Sequence, residues 1–229
     1  MRAIDLRGHG QSPAATSPLT LDDLAADVAA DVLGHCRIQM TNGGEATREP
    51  GVVLVGASLG GVVALRVAAR LGNRVRALVL AATDPCPETD GSRARRRATL
   101  DLADRLGARS VFRALAPSMF GRTTRRDRPV LVSRWLAGVL EIDPRSVRPV
   151  VEAALSRDDL RPLLPEIRCP VLVLAGAEDE IASVGASDAL VHGLPSSRRV
   201  IVREAGHSLH LEQPLQVANL VSELLRELT

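Results

Sequence analysis

The sequence predicts an α/β fold, with a mostly parallel sheet, helices on both of its faces and a long helical insertion. Three observations predict it. VVLV at 52–55, VRALVLAA at 75–82, CPVLVLAG at 169–176 and RRVIVREAG at 198–206 are short, continuous apolar or β-branched runs, as expected of strands buried on both faces. Segments with apolar residues spaced by threes and fours alternate with these runs, and that alternation builds a parallel sheet. The interval from 85 to 168 keeps helical spacing but offers no strong strand.

Each element has its own local justification. The opening MRAIDLRGHGQS reads as a short strand, RAID, running into a glycine-rich turn. Leu21, Leu24, Val28 and Val32 give 19–33 a helical stripe, and Thr20 with Asp23 three residues on forms a capping pattern. TNGGEATREPG at 41–51 is a loop by its Gly, Asn and Pro content. LGGVVALRVAARLG at 59–72 is a helix that stops at Gly72. Within the insertion, RARRRATLDLADRLGARSVFRAL at 93–115 is the clearest helix. Pro170 is confined to the start of its strand. SDALVHGL at 187–194 fits a short helix, and PLQVANLVSELLREL at 214–228 an amphipathic one with Pro214 in its first turn. The 229 residues then divide into a core from 1 to 84, a helical insertion from 85 to 168 and a second core segment from 169 to 229.

Composition narrows the function. The chain is 45% hydrophobic and 24% charged, with a net charge of +2. All 29 of its Lys and Arg positions are Arg. With 1% aromatic residues and no Tyr, it lacks the stacking surfaces used to bind single-stranded nucleic acid. RARRR at 93–97 and RTTRRDR at 122–128 are mixed with acids in the insertion, which fits attraction of an anionic substrate better than a nucleic-acid surface. No apolar run approaches the roughly 20 residues of a membrane span. No charged-then-apolar leader is visible, so the expected compartment is the cytoplasm. Cys36, Cys86 and Cys169 have no paired spacing and suit a reducing compartment better than a disulfide framework or a zinc site.

The sharpest local signal is VVLVGASLGG at 52–61, a strand, then Gly56-x-Ser58-x-Gly60, then a helix. That context fits a nucleophile elbow, a tight strand-to-helix turn that holds the serine hydroxyl above the sheet at a helix N-terminus. Small residues on either side let strand and helix approach, and the backbone N–H of Leu59 is placed to donate to an oxyanion. There is no G-x-G-x-x-G and no Lys for a phosphate-binding loop. A serine needs a base and the base an orienting acid, following in the order Ser, acid, His. Asp179 in LAGAEDE and His207 in EAGHSLHLEQP each lie just past a strand, on the carboxyl edge where open parallel sheets build sites. Glu178 beside Asp179 and Asp84 after the preceding strand are competing acids. His210 reads as packing or capping, His35 and His192 as helix residues, and His9 as a brace for its own turn.

These motifs together resemble the α/β-hydrolase superfamily over residues 1 to 229. DLRGHGQS is similar to the loop after that family's fourth strand, GASLGG to its elbow, LAGAEDE to its acid loop and EAGHSLHLEQP to its histidine loop. The resemblance implies Ser58 as nucleophile, His207 as general base and acid, Asp179 as its orienter, and 85–168 as a helical cap that carries substrate selectivity. It implies acyl transfer on a small ester, lactone or related acyl substrate, without metal or organic cofactor. Similar small-molecule hydrolases include enol-lactonases, aryl esterases and non-haem haloperoxidases, and the same triad serves carbon–carbon bond hydrolases.

The resemblance also sets an expectation of loss. The family has three strands before DLRGHG, so RAID reads as its fourth strand and the chain as N-terminally truncated. The missing third strand is expected to leave a gap in mid-sheet between RAID and VVLV. The loop that supplies a second oxyanion donor, often beside a His-Gly pair, is expected to be missing too; His9–Gly10 belongs to a different loop. A weakly active or inactive relative is the alternative to an active hydrolase.

Overall fold

The computed structural model describes residues 1–14, 18–41 and 51–228. The loop expected at 41–51 falls, from 42 to 50, outside the described residues. Four strands, β1 (Val52–Ala57), β2 (Val75–Ala81), β3 (Val171–Gly176) and β4 (Ser197–Val202), lie side by side in chain order, and every adjacent pair is parallel. Their carboxyl ends are level: Ala57 is opposite Ala81, Ala81 opposite Leu174, and Gly176 opposite Val202.

Alternation along the strands sorts the core into two layers. Leu78 and Leu80 of β2, with Val171 and Val173 of β3, face α1 (Leu21–Thr41) and α2 (Leu59–Leu71). Ala77, Val79 and Ala81, with Leu172 and Leu174, face the C-terminal helices α9 (Leu209–Glu212) and α10 (Pro214–Glu227). β2 and β3 are therefore apolar at every position but Arg76 because neither face meets water. α8 (Asp188–Gly193) crosses between β3 and β4 and buries Leu190 in the first layer.

α1 starts where its capping pattern expects. Asp23 N–H donates to Thr20 Oγ1 at 3.1 Å, and Thr20 N–H returns to Asp23 Oδ2 at 2.9 Å, so two amides at the helix start are satisfied reciprocally. Arg66, buried on α2, pairs with Asp22 of α1 at 2.8 Å and with Asp158.

Between β2 and β3 the chain forms α3 (Asp90–Leu106), α4 (Ala108–Leu115), α5 (Arg122–Asp127), α6 (Pro129–Leu140) and α7 (Pro144–Leu155). The single helix expected over 93–115 is two helices, because Gly107 takes a φ of 84°. Such a conformation stops an α-helix.

The strand expected at RAID does not form; residues 1–6 carry no regular secondary structure. This segment is tied to α1 by side chains rather than to the sheet by a ladder. Arg2 pairs with Asp31 at 2.5 Å, and Arg7 holds both carboxylate oxygens of Asp27 at 2.5 and 2.7 Å. Among the described residues β1 pairs with β2 alone, and Val55 on it is 61% exposed. The RGHG turn rests on the insertion, where Ser146 Oγ donates to Gly8 O at 3.0 Å.

Candidate active site

The three residues expected to act together meet at the carboxyl edge of the sheet. Ser58 directly follows β1, Asp179 lies three residues past β3, and His207 five residues past β4. The Ser58 Oγ lies 2.9 Å from His207 Nε2, and His207 Nδ1 lies 2.9 Å from Asp179 Oδ2. An ionised carboxylate only accepts, so Nδ1 carries the proton and donates to Asp179. Nε2 is then left to accept from the Ser58 hydroxyl. The Asp179 and His207 side chains are 0% and 5% exposed, which keeps competing water from the link between them.

The elbow explains the serine's position. Ser58 has φ 51° and ψ −118°, a conformation that costs an L-residue on the order of 1–3 kcal/mol and persists only where the surroundings enforce it. Its N–H donates to Ala81 O of the neighbouring strand at 2.8 Å, and Thr83 Oγ1 donates to its carbonyl at 3.1 Å. A Cβ on Gly56 would stand 2.4 Å from Gly60 O, so that glycine is needed for the close approach. Gly60, expected to serve the same purpose, meets no heavy atom within 4 Å. The pressed position is Gly61, where a Cβ would fall 1.9 Å from Thr83 Oγ1. Leu59, as the first residue of α2, carries one of the amides a helix cannot pair internally.

Asp179 is held from both sides. Its Oδ1 accepts the N–H groups of Ile181 at 2.8 Å and Ala182 at 2.9 Å, leaving Oδ2 aimed at the imidazole. The competing acids are engaged elsewhere. Asp84 Oδ1 accepts Cys86 N–H at 2.8 Å. Glu178 Oε2 accepts Thr123 N–H at 2.8 Å and its Oε1 the Thr123 hydroxyl at 2.7 Å, with Arg122 3.4 Å away. Burial pushes the Glu178 pKa up, but the Thr123 donors and Arg122 outweigh it and hold the carboxyl below its usual range.

Sequence reasoning missed Glu212. It is 1% exposed, and its two carboxylate oxygens accept Gly206 N–H and Gly121 N–H, each at 2.8 Å. Ser208 N–H donates to Met119 O at 2.9 Å. Glu178 and Glu212 thus fasten one short stretch of the insertion, Gly121–Thr123, to the loops that carry Asp179 and His207. Backbones touch there: a Cβ on Gly206 would lie 2.4 Å from Gly121 N. The only signal in the sequence was position, five residues past His207 in EAGHSLHLEQP.

The remaining histidines stay out of the site. His9 Nδ1 lies 3.2 Å from Arg7 O within its own turn, and His192 Nδ1 lies 2.7 Å from Asp188 O of its own helix. His35 is exposed on α1, and His210, expected to pack or cap, is exposed on α9. Among the described residues no group of three or more His, Cys, Asp and Glu side chains converges as a metal ion requires, and no helix is long and apolar enough to cross a membrane.

Residues 2–220 match a model of the alpha/beta hydrolase family. Among characterised relatives, the pimeloyl-[acyl-carrier protein] methyl ester esterase of Chromobacterium violaceum is 30% identical over 97% of this chain and 82% of its own length. The 3-oxoadipate enol-lactonase 2 of Acinetobacter baylyi is 27% identical over 97% of this chain and 77% of its own. Among solved structures, a thermophilic esterase from Thermogutta terrifontis superimposes with a TM-score of 0.84 at 28% identity, covering 98% of this chain and 78% of that one.

Proposed function

The chain belongs to the alpha/beta hydrolase family, and from that premise we propose that it is a serine hydrolase cleaving a small carboxylic ester or lactone through an acyl-enzyme. The observation that carries this reading is the unbroken hydrogen-bonded line from Ser58 Oγ through His207 to Asp179, with both links at 2.9 Å. The similarity to an esterase and an enol-lactonase supports the choice of ester and lactone bonds over other acyl groups.

In the proposed reaction Ser58 Oγ attacks the carbonyl carbon as its proton passes to His207 Nε2. Asp179 orients the ring and stabilises the imidazolium that forms. The tetrahedral oxyanion forms at the N-terminus of α2, where the Leu59 amide and the helix dipole favour negative charge. His207 returns its proton to the leaving alcohol, the C–O bond breaks, and the acyl group stays on Ser58. Water then attacks that carbonyl, giving a proton to His207; collapse releases the acid and restores the serine hydroxyl. No step calls for a metal or organic cofactor.

Residues 85–168 are proposed as a cap that shapes the entrance, supported by the fastening of Gly121–Thr123 to Glu178 and Glu212. The three cysteines are free thiols, which supports a reducing, cytoplasmic setting. Turnover of p-nitrophenyl acetate and butyrate and of small lactones tests the reading. Hydrolysis by the native chain that falls by at least a thousandfold in Ser58→Ala supports it; hydrolysis that survives the substitution rejects it.

A further inference from the structure

Beside the Ser58–His207–Asp179 cluster lies a second feature that the reaction above does not use. A cavity of about 510 Å³ opens between α3, α4 and α7, a volume in the range of small-molecule sites. Ser58, Asp179 and His207 do not line it. It reaches their loops through Glu180 and Ile181, which follow Asp179, and through Met119, whose carbonyl holds Ser208 next to His207. Its walls are largely apolar, with Leu100, Phe112, Met119, Val151 and Ile181 among them.

Its charge is uneven. Arg95 and Arg96 of α3 and Arg145 and Arg148 of α7 line it, against the two acids Asp104 and Glu180. Those acids are taken: Asp104 by Arg148 at 2.7 Å, and Glu180 by Arg125 at 3.2 Å. Arg145 pairs with Asp143 at 3.2 Å and Arg96 with Glu88 at 3.5 Å. Arg95 is the exception among the four, because no acid among the described residues pairs with its guanidinium. Ser92, Arg95, Arg96, Thr99 and Ala103 recur by threes and fours along α3, so Arg95 shares the cavity-facing side of the helix.

We propose that this cavity selects an ester whose apolar body ends in a carboxylate, with Arg95 as the counter-charge. The proposal rests on the hydrolase reading, since it names that reading's substrate class. An apolar wall alone would take neutral esters; an uncompensated guanidinium at its rim adds a planar, permanently charged partner for a carboxylate. Because Arg95 is exposed, the preference it confers is modest, about fivefold.

Calorimetric titration of the Ser58→Ala variant with monomethyl suberate and with dimethyl suberate tests it without turnover. The expected result is about fivefold tighter binding of the monoanionic ester. Adding Arg95→Ala removes that preference and leaves dimethyl suberate unchanged, Arg95→Lys keeps most of it, and Arg97→Ala, exposed on the same helix and outside the cavity lining, keeps all of it. Equal binding of the two esters, a preference that survives Arg95→Ala, or no binding of either overturns the proposal. A native chain that hydrolyses no ester would reject the hydrolase reading separately, because this measurement reads binding alone.

Discussion

The Glu212 carboxylate accepts the backbone N–H of Gly206, the residue before His207, at 2.8 Å. Its second oxygen accepts Gly121 N–H at the same distance. A buried carboxylate left without donors would be strongly destabilising. With two amide donors from separate segments it becomes a tie between the histidine loop and the insertion.

Glu212→Gln replaces one acceptor oxygen by an NH2 group that faces an N–H. The expected loss is about 2 kcal/mol of stability, from one amide left unsatisfied in a buried position. Urea denaturation measures it, with Glu223→Gln on the exposed side of α10 as a control expected to stay within about 0.5 kcal/mol. Equal stability of the two variants would show that the tie contributes nothing.

Glu178 makes stability depend on pH. Its folded-state pKa is depressed by the Thr123 donors and Arg122, against the opposing effect of burial. Its contribution is therefore fully present above the unfolded-state pKa and is lost as pH falls through the folded one. Stability measured downward from about pH 6 is expected to fall more steeply in the native chain than in Glu178→Gln, which has no such proton to take up. Parallel curves for the two would contradict this assignment.

The two glycines after Leu59 are expected to respond in opposite ways to alanine. Gly60 has no heavy atom within 4 Å of the added carbon, so Gly60→Ala is tolerated and gains up to about 1 kcal/mol from helix propensity. Gly61→Ala drives a methyl into Thr83, and through it disturbs the Ser58 carbonyl that Thr83 holds. A loss of about 1–3 kcal/mol is expected. Thermal unfolding of the two variants decides the matter; equal midpoints would be evidence against the packing described.

These glycines also mark what a sequence can and cannot disclose. The strands and their helices were legible because burial on both faces writes a continuous apolar run, as in VLVLAG, and a one-sided helix writes a spacing, as in Leu21, Leu24 and Val28. Ser58, Asp179 and His207 were legible because each follows such a run. Which glycine is pressed depends on Thr83, a residue 22 positions beyond Gly61 in the chain, and no local pattern carries that. The same holds for Glu178, whose ties to Thr123 span 55 residues, and for Glu212, whose tie to Gly121 spans 91. Gly107 hid a helix break inside good helical spacing because one backbone angle suffices. RAID has the apolar content of a strand, but strand formation needs a paired neighbour, and its own Arg2 and Arg7 just beyond it instead hold this segment to α1.

Asp179→Asn should leave the architecture in place and remove most of the rate. An amide NH2 turned toward Nδ1 favours the tautomer with the proton on Nε2, which then cannot accept from Ser58. A fall in kcat on the order of 10^3- to 10^4-fold is expected, with a thermal midpoint close to that of the native chain. A loss of less than tenfold in a folded variant would mean that the carboxylate does not orient the base.

The central claim is that His207 activates Ser58, and covalent labelling with a fluorophosphonate, mapped by peptide mass spectrometry, reads it most directly. One phosphonyl adduct is expected, carried by Ser58, absent in Ser58→Ala and formed at least a hundredfold more slowly in His207→Ala. An adduct on another residue, or labelling of Ser58 at an unchanged rate without the imidazole, would contradict it.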